Sequence, residues 1–385
     1  MPAPIYFDYN ATTPVDERVL DAMLPFLRAH YGNPNSEHAY GWAADEAVKQ
    51  ARERTARLIG ATPRTIVFTS GATESISLAI RGAAGIYGGR RHRIVTVQTE
   101  HKAVLATCEA MEREGYEITY LPVGPDGLVR LGDVEAALTD ETLMVSVMWA
   151  NNETGVIQPV PEIAALAHEA GALMMTDATQ AAGKVPISVN HDGVDLLAMS
   201  AHKLYGPKGV GALYVRQRGP RVKLQPQING GAGEGGLRSG TTNVPGVVGL
   251  GVAADLARRG LAAEADRLGA LRDRFEAGVL AAVPGAHVNA PEAPRLPNTS
   301  SIRFEGVRTS LLLPVMRDLA VSTGAACQTR TQQPSHVLTA MGLTPEQSFS
   351  TVRFSLGRPT TEAEVDAAVD HVAEAVQAAR RRAAA

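Results

Sequence analysis

Seven short strand-like runs, spaced by helix-like stretches, constrain this fold more than any other feature. They are Thr65 to Thr69, Ile94 to Val97, Glu117 to Leu121, Leu143 to Trp149, Ala172 to Thr176, Asp195 to Ser200 and Gly209 to Val215. Several are continuously apolar, as strands covered on both faces require. Amphipathic stretches lie between them, among them Glu74 to Ala83, Lys102 to Arg113 and Val160 to Glu169. This alternation predicts an α/β fold with a mostly parallel sheet flanked by helices. In such sheets ligands bind beyond the carboxyl ends of the strands.

The residues just past those ends carry chemistry. Ser200-Ala201-His202-Lys203 follows one run and leads into Gly206-Pro207-Lys208-Gly209. A lysine amine held there condenses with an aldehyde, and pyridoxal 5'-phosphate (PLP) is the usual one. Asp177, with Gln180 three residues on, follows a second run, and His101 follows a third. Asp177 suits the pyridine nitrogen of PLP, and Gln180 suits the ring hydroxyl oxygen. Gly71-Ala72-Thr73 opens a helix directly after a strand, where free N–H groups and the helix dipole suit a phosphate. Taken singly, each has an ordinary alternative: a surface lysine, a turn aspartate, a structural histidine, a plain helix cap. Their shared position at strand ends favours the functional reading.

A chain of 385 residues exceeds one typical core. The texture changes after residue 251 to a long Ala/Leu/Arg helix pattern, Gly251 to Ala282. A strand (Ser300 to Phe304), a helix (Ser310 to Arg317), two further strands (Leu319 to Ser322, Thr351 to Leu356) and a closing helix (Glu362 to Arg382) follow. They predict a smaller α+β domain. Net charge is −3, and the one dense basic run is Arg380-Arg381-Arg382, which fits a solvated helix end better than a nucleic-acid site. No apolar run approaches the ~20 residues of a membrane span, and no secretory leader is visible. The two cysteines, Cys108 and Cys327, exclude a disulfide framework, and no Cys-x-x-Cys pair suggests a metal. A reducing cytoplasm is the expected compartment. Cys108 sits in a helix-like stretch and reads as a buried apolar group. Cys327 follows Ser322-Thr323-Gly324-Ala325-Ala326 and has Arg330 nearby, a setting that favours a thiolate.

Eight motifs in one order carry a resemblance along nearly the whole chain. They are Tyr6-Phe7-Asp8-Tyr9-Asn10-Ala11-Thr12-Thr13-Pro14, Gly32-Asn33-Pro34-Asn35-Ser36, Ser70-Gly71-Ala72-Thr73-Glu74 and Asn151-Asn152-Glu153-Thr154-Gly155. The lysine segment, Arg238-Ser239-Gly240-Thr241, the segment ending at Cys327 and Arg353-Phe354-Ser355-Leu356-Gly357 complete the set. The chain resembles cysteine desulfurases of the NifS/IscS type, within the class V aminotransferase family of PLP fold type I. That resemblance implies a large PLP domain over 13–255 with a seven-stranded sheet. It implies a small domain of 1–12 with 256–385 that carries the catalytic cysteine.

By residue, it implies that Lys203 binds PLP and that Ser200 and His202 touch its phosphate with Gly71, Ala72 and Thr73. Asn152 joins Gln180 at the ring hydroxyl oxygen, and His101 stacks on the ring and shuttles protons. Arg353 and Asn33 hold the substrate carboxylate, with Asn152 close by; Arg358 competes with Arg353. Thr241 reaches the phosphate in a partner subunit, which implies a homodimer. Cys327 takes sulfur from L-cysteine as a persulfide, leaving L-alanine, and passes it to an acceptor protein. Iron–sulfur assembly, tRNA thiolation and DNA phosphorothioation are the pathways such enzymes serve. Two segments depart from the pattern: Gly230 to Gly236, which keeps only Glu234 of the usual polar residues, and Gln328 to Gln333 after the cysteine. The second favours a specialised member such as a DNA-phosphorothioation desulfurase. A selenocysteine lyase or aminotransferase on the same fold, and a non-catalytic interaction platform, are the alternatives.

Overall fold

The computed structural model describes residues 4–323 and 333–384. Cys327, with 328–332 of the unusual segment, therefore lies outside the described residues. The chain begins with a short strand, β1 (Ile5–Tyr6), and two helices, α1 (Glu17–Arg28) and α2 (Ala39–Leu58). Next come β2 (Ile66–Thr69), α3 (Ala72–Tyr87), β3 (Arg93–Val97), α4 (Lys102–Arg113), β4 (Glu117–Leu121) and α5 (Leu131–Ala137). They lead to β5 (Thr142–Ser146), α6 (Val160–Glu169), β6 (Leu173–Asp177), β7 (Leu196–Ser200) and β8 (Gly211–Val215). The strands β2 to β8 form one seven-stranded sheet in the order β2-β8-β7-β6-β5-β3-β4. β8 runs antiparallel to both neighbours, and the other pairs are parallel.

Alternation along each strand feeds two cores. Leu197 and Met199 of β7 face one side, with Val48 and Ala51 of α2 and Ile163 of α6. Leu196 and Ala198 face the other, with Ile76 and Ile80 of α3 and Cys108 of α4. This two-residue period inside a wholly apolar run is what a sheet buried on both faces needs.

A third core forms around α7 (Val244–Ala282), β9 (Ala286–Val288), β10 (Thr299–Phe304), α8 (Thr309–Leu312) and β11 (Leu319–Ala320). The short helices α9 (His336–Ala340) and α10 (Pro345–Phe349) precede β12 (Thr351–Ser355) and α11 (Glu362–Ala384). The sheet order here is β12-β10-β9, all antiparallel. Phe275 packs against Phe354 at 4.8 Å and Phe7 at 5.6 Å between ring centres. The N-terminal segment thus joins this core, and β1 pairs with β11 in parallel. α7 has 39 residues, about 58 Å at 1.5 Å each. Its first half (Val247, Leu250) packs in the first core and its second half (Leu271, Phe275, Val279) in the third.

Some expected boundaries shift for local reasons. The strand expected over Leu143 to Trp149 is regular over Thr142–Ser146, and beyond it the Val147 and Trp149 N–H groups still donate to the Met175 and Asp177 carbonyls of β6. The helix expected from Gly251 starts at Val244, where the Asn243 side chain accepts from the Gly246 N–H and a proline sits in the first turn. The helix expected over Ser310 to Arg317 is only four residues long and passes into a 3-10 turn at Pro314, which lacks the N–H an α-helix needs. Among the described residues, no helix is long and apolar enough to cross a membrane.

Candidate active site

Five strands of the large sheet deliver their carboxyl ends to one cavity of about 640 Å³. β2 supplies Gly71, Ala72 and Thr73, β3 supplies His101, and β5 supplies Met148, Asn152 and Glu153. β6 supplies Asp177 and Gln180, and β7 supplies Ser200, His202 and Lys203. Arg353 from β12 and Asn10, Ala11 and Thr12 from the N-terminal segment close the wall. The N-terminus of α3 opens into this space, where its unpaired N–H groups suit an anion. Close approach sets the turn before it. A Cβ on Gly211 would stand 2.7 Å from Gly71 Cα, so β8 can back the turn only as glycine. Gly71 itself has φ +156°, and its missing side chain leaves the cradle open toward Ser200.

The Lys203 amine donates to the carbonyls of Asn10 and, at 2.7 Å, Ala11. Burial, then the Arg353 charge, brings its pKa down to about 8, against the opposing pull of Asp8 and Asp177. About a tenth of the amine is therefore uncharged at pH 7, the form that adds to an aldehyde. Asp177 is buried at the end of β6, and its Oδ1 accepts the Thr179 N–H at 2.9 Å. Behind it, Glu100 is fully buried. Burial first, and the Asp177 charge second, push its carboxyl well above the usual range. The Gln180 amide donates to Asn10 O at 2.9 Å and accepts from Lys184 Nζ at 2.9 Å. His202 accepts or shares a proton with Thr12 Oγ1 at 3.1 Å, and burial followed by the Lys203 charge lowers it to about 4.

His101 caps α4: its Nδ1 accepts the Ala103 N–H at 3.1 Å. Its ring faces the open cavity yet is packed about by protein, and burial lowers its pKa, with Asp177 opposing. Arg353 is 4 % exposed; its guanidinium donates to Asp8 Oδ1 at 2.6 Å and Asn152 O at 2.9 Å, while its Nε has no partner among the described residues. Arg358 turns elsewhere. It pairs with Asp16 and Glu264 and lies over the Tyr205 ring, outside the cavity.

The cavity therefore gathers Gly71, Ala72, Thr73, His101, Asn152, Asp177, Gln180, Ser200, His202, Lys203 and Arg353. Asn33 and Thr241 do not line it, and both are exposed. Cys108 is buried in α4, where burial raises its thiol to about 12. Sequence reasoning missed Glu153, Thr179, Lys208 and His336 as wall residues. Asn10 to Thr12 stood inside a quoted motif without a role. For His336 no spacing or residue pattern gave a signal. The departing glycine-rich stretch is held by Glu234, which accepts from Arg52 at 2.6 and 2.7 Å and from the Phe68 N–H at 2.9 Å.

The donor set fits PLP: an anion cradle, a buried carboxylate, an amine of lowered pKa and an arginine fork share one space. Residues 5–368 match the model of the class-V aminotransferases. The chain belongs to the class-V aminotransferase family. Within this family it is 51 % identical, over 99 % of its own length and 94 % of the relative's, to a protein named cysteine desulfurase IscS from Anaeromyxobacter sp. strain Fw109-5. It superposes on a NifS-like protein with a TM-score of 0.90 at 40 % identity, covering 97 % of this chain and 99 % of that one. It superposes on SspA, solved in complex with cysteine, with a TM-score of 0.83 at 38 % identity, covering 91 % and 98 %. These matches place this class-V aminotransferase family member among the PLP-dependent cysteine desulfurases of the NifS/IscS type.

Proposed function

We propose that this chain converts L-cysteine to L-alanine and retains the sulfur on Cys327 as a persulfide for delivery to an acceptor protein. The observation that carries the site assignment is Lys203, an amine brought to about 8, in one cavity with Asp177 and the N-terminus of α3. Lys203 would hold PLP, Gly71, Ala72, Thr73, Ser200 and His202 its phosphate, Asp177 its ring nitrogen, and Gln180 and Asn152 its ring hydroxyl. When bound, PLP supplies an electron sink for charge developing at the substrate carbon.

The chain's own residues do the rest. Arg353 receives the substrate carboxylate on its planar fork. Lys203, as a free amine, takes and returns the proton on the α-carbon. His101 donates its Nε2–H across the cavity. The Cys327 thiolate attacks the substrate sulfur, the carbon–sulfur bond breaks with its electron pair on the β-carbon, and that carbon takes a proton before the fragment leaves as L-alanine. Nothing in the cavity supports Asn33 as a second carboxylate contact.

Thr241 serves a phosphate in a second copy of the chain, and its exposed position outside its own cavity supports that reading. The chain is then a homodimer. The division into 13–255 and 1–12 with 256–385 is our reading of the three cores, two on the large sheet and one around α11. A cytoplasmic location fits the functional thiol. The test is release of alanine and sulfide from L-cysteine, with amino acceptors and L-selenocysteine as controls. A colourless protein that releases neither would be an interaction platform and would overturn the reading.

A further inference from the structure

We propose that His336 is a catalytic base of this cavity, taking the proton from the sulfur that is being transferred. The inference rests on the desulfurase reading above and adds a residue to it. Its starting point is which nitrogen of each cavity histidine carries a proton.

His336 Nε2 lies 2.9 Å from the backbone carbonyl of Glu100. A carbonyl only accepts, so Nε2 carries the hydrogen and the lone pair of the neutral ring sits on Nδ1. His101 is wired the other way with respect to the cavity. Its Nδ1 lone pair is spent on the Ala103 N–H, so neutral His101 has its hydrogen on Nε2 and acts as a donor. Three imidazoles line the cavity: His202 Nδ1 is engaged with Thr12 Oγ1 at 3.1 Å, the His101 Nδ1 lone pair is consumed, and His336 Nδ1 has no hydrogen-bond partner among the described residues.

The other bases of the wall are committed. Glu153 is buried and accepts the Ser335 hydroxyl at 2.6 Å. Asp177 accepts from Thr179 and stands at the base of the cavity. Glu100 does not line it, and burial raises that carboxyl well above its usual range. Lys203 is assigned to the cofactor and the α-carbon. His336 also has a firm mount. Ser335 caps α9, its N–H donates to Ser348 Oγ at 2.9 Å, and its hydroxyl binds Glu153. The groups around the ring are Glu100 and Glu153 on the acidic side, and His101 and Lys102 on the basic side.

The step is a proton transfer. The sulfur–hydrogen bond breaks, the proton goes to His336 Nδ1, and the electron pair stays on sulfur. Nothing is oxidised or reduced in it.

The test uses the holoenzyme. His336→Gln keeps an N–H for the Glu100 carbonyl and removes the basic nitrogen. His336→Ala removes both and leaves room for free imidazole. Both variants should keep the colour of bound PLP and its spectral change on adding L-cysteine. Alanine release should fall by about 100-fold, the usual scale of a lost general base. Added imidazole should restore His336→Ala in proportion to its free-base concentration. Wild-type turnover in His336→Gln would overturn the proposal. So would a loss that imidazole cannot restore, or loss of PLP from both variants, since the ring would then serve architecture alone. If wild-type protein itself gives no alanine from L-cysteine, the desulfurase reading fails instead.

Discussion

Uptake of PLP by the cofactor-free protein should track the protonation of Lys203. Its amine sits at about 8 rather than 10.5, because of burial first and the Arg353 guanidinium second. At pH 7.5 an amine at 8 is roughly 24 % uncharged and one at 10.5 roughly 0.1 %, so the environment raises the reactive fraction by about 200-fold. The sign follows directly: removing a cation from the neighbourhood raises the Lys203 pKa and slows uptake at neutral pH. Rapid mixing with PLP between pH 6 and 10, followed by absorbance, reads this. The rate should climb with pH up to about 8 and then level. Arg353→Met should move the plateau to higher pH. Borohydride trapping and peptide mapping then identify the amine. Lys184 is a stringent control, because burial and the Lys203 charge bring it to about 7, yet its Nζ donates to Gln180. A rate still climbing past pH 9.5, or a label on Lys184 or Lys208, would refute the reasoning.

Four further outcomes are expected. Asp177→Asn should lower kcat by at least 10-fold with little change in KM, because the lost charge acts mainly on the transition state; equal losses in both would remove Asp177 from that role. Cys108→Ser should keep full activity, since the Cys108 thiol is buried and raised to about 12, at a stability cost of about 1–3 kcal/mol for a core hydroxyl; Cys327→Ser should bind L-cysteine, seen by absorbance, but transfer no sulfur to a peptide detectable by mass spectrometry. Glu234→Ala should cost about 2–4 kcal/mol in urea denaturation, because it strands Arg52 and the Phe68 N–H together; an unchanged midpoint would mean the loop is held by its glycine geometry.

Most of the site was legible because its residues follow strands whose apolar runs are unmistakable. Lys203, Asp177 and His101 each stand within four residues of a strand end, and the sheet gathers those ends. α4 and α6 match the expected Lys102 to Arg113 and Val160 to Glu169 because their polar and apolar residues follow the helical repeat. The direction of β8 was not legible, since an apolar run reads the same both ways. The place of Phe7 in the third core came from resemblance, as β1 is only two residues long. His336 was invisible for a different reason. Its role depends on a backbone carbonyl contributed from 236 positions away, and side-chain patterns carry no record of that. Glu234 was noted as a survivor of an altered motif, but its anchor, Arg52, lies in a helix that periodicity had not marked out.

The reach of α7 also bears on how the reacting groups keep their spacing. Lys203 is mounted beside the large sheet, whereas Arg353 belongs to β12 in the other core. One uninterrupted ladder of backbone hydrogen bonds, 39 residues long, is embedded in both. A hinge between the cores would have to bend that rod, and the Arg353–Asn152 bond straddles the remaining gap. The helix and that bond thus mount the amine and the guanidinium on one continuous frame, which sets the span an amino acid has to fill.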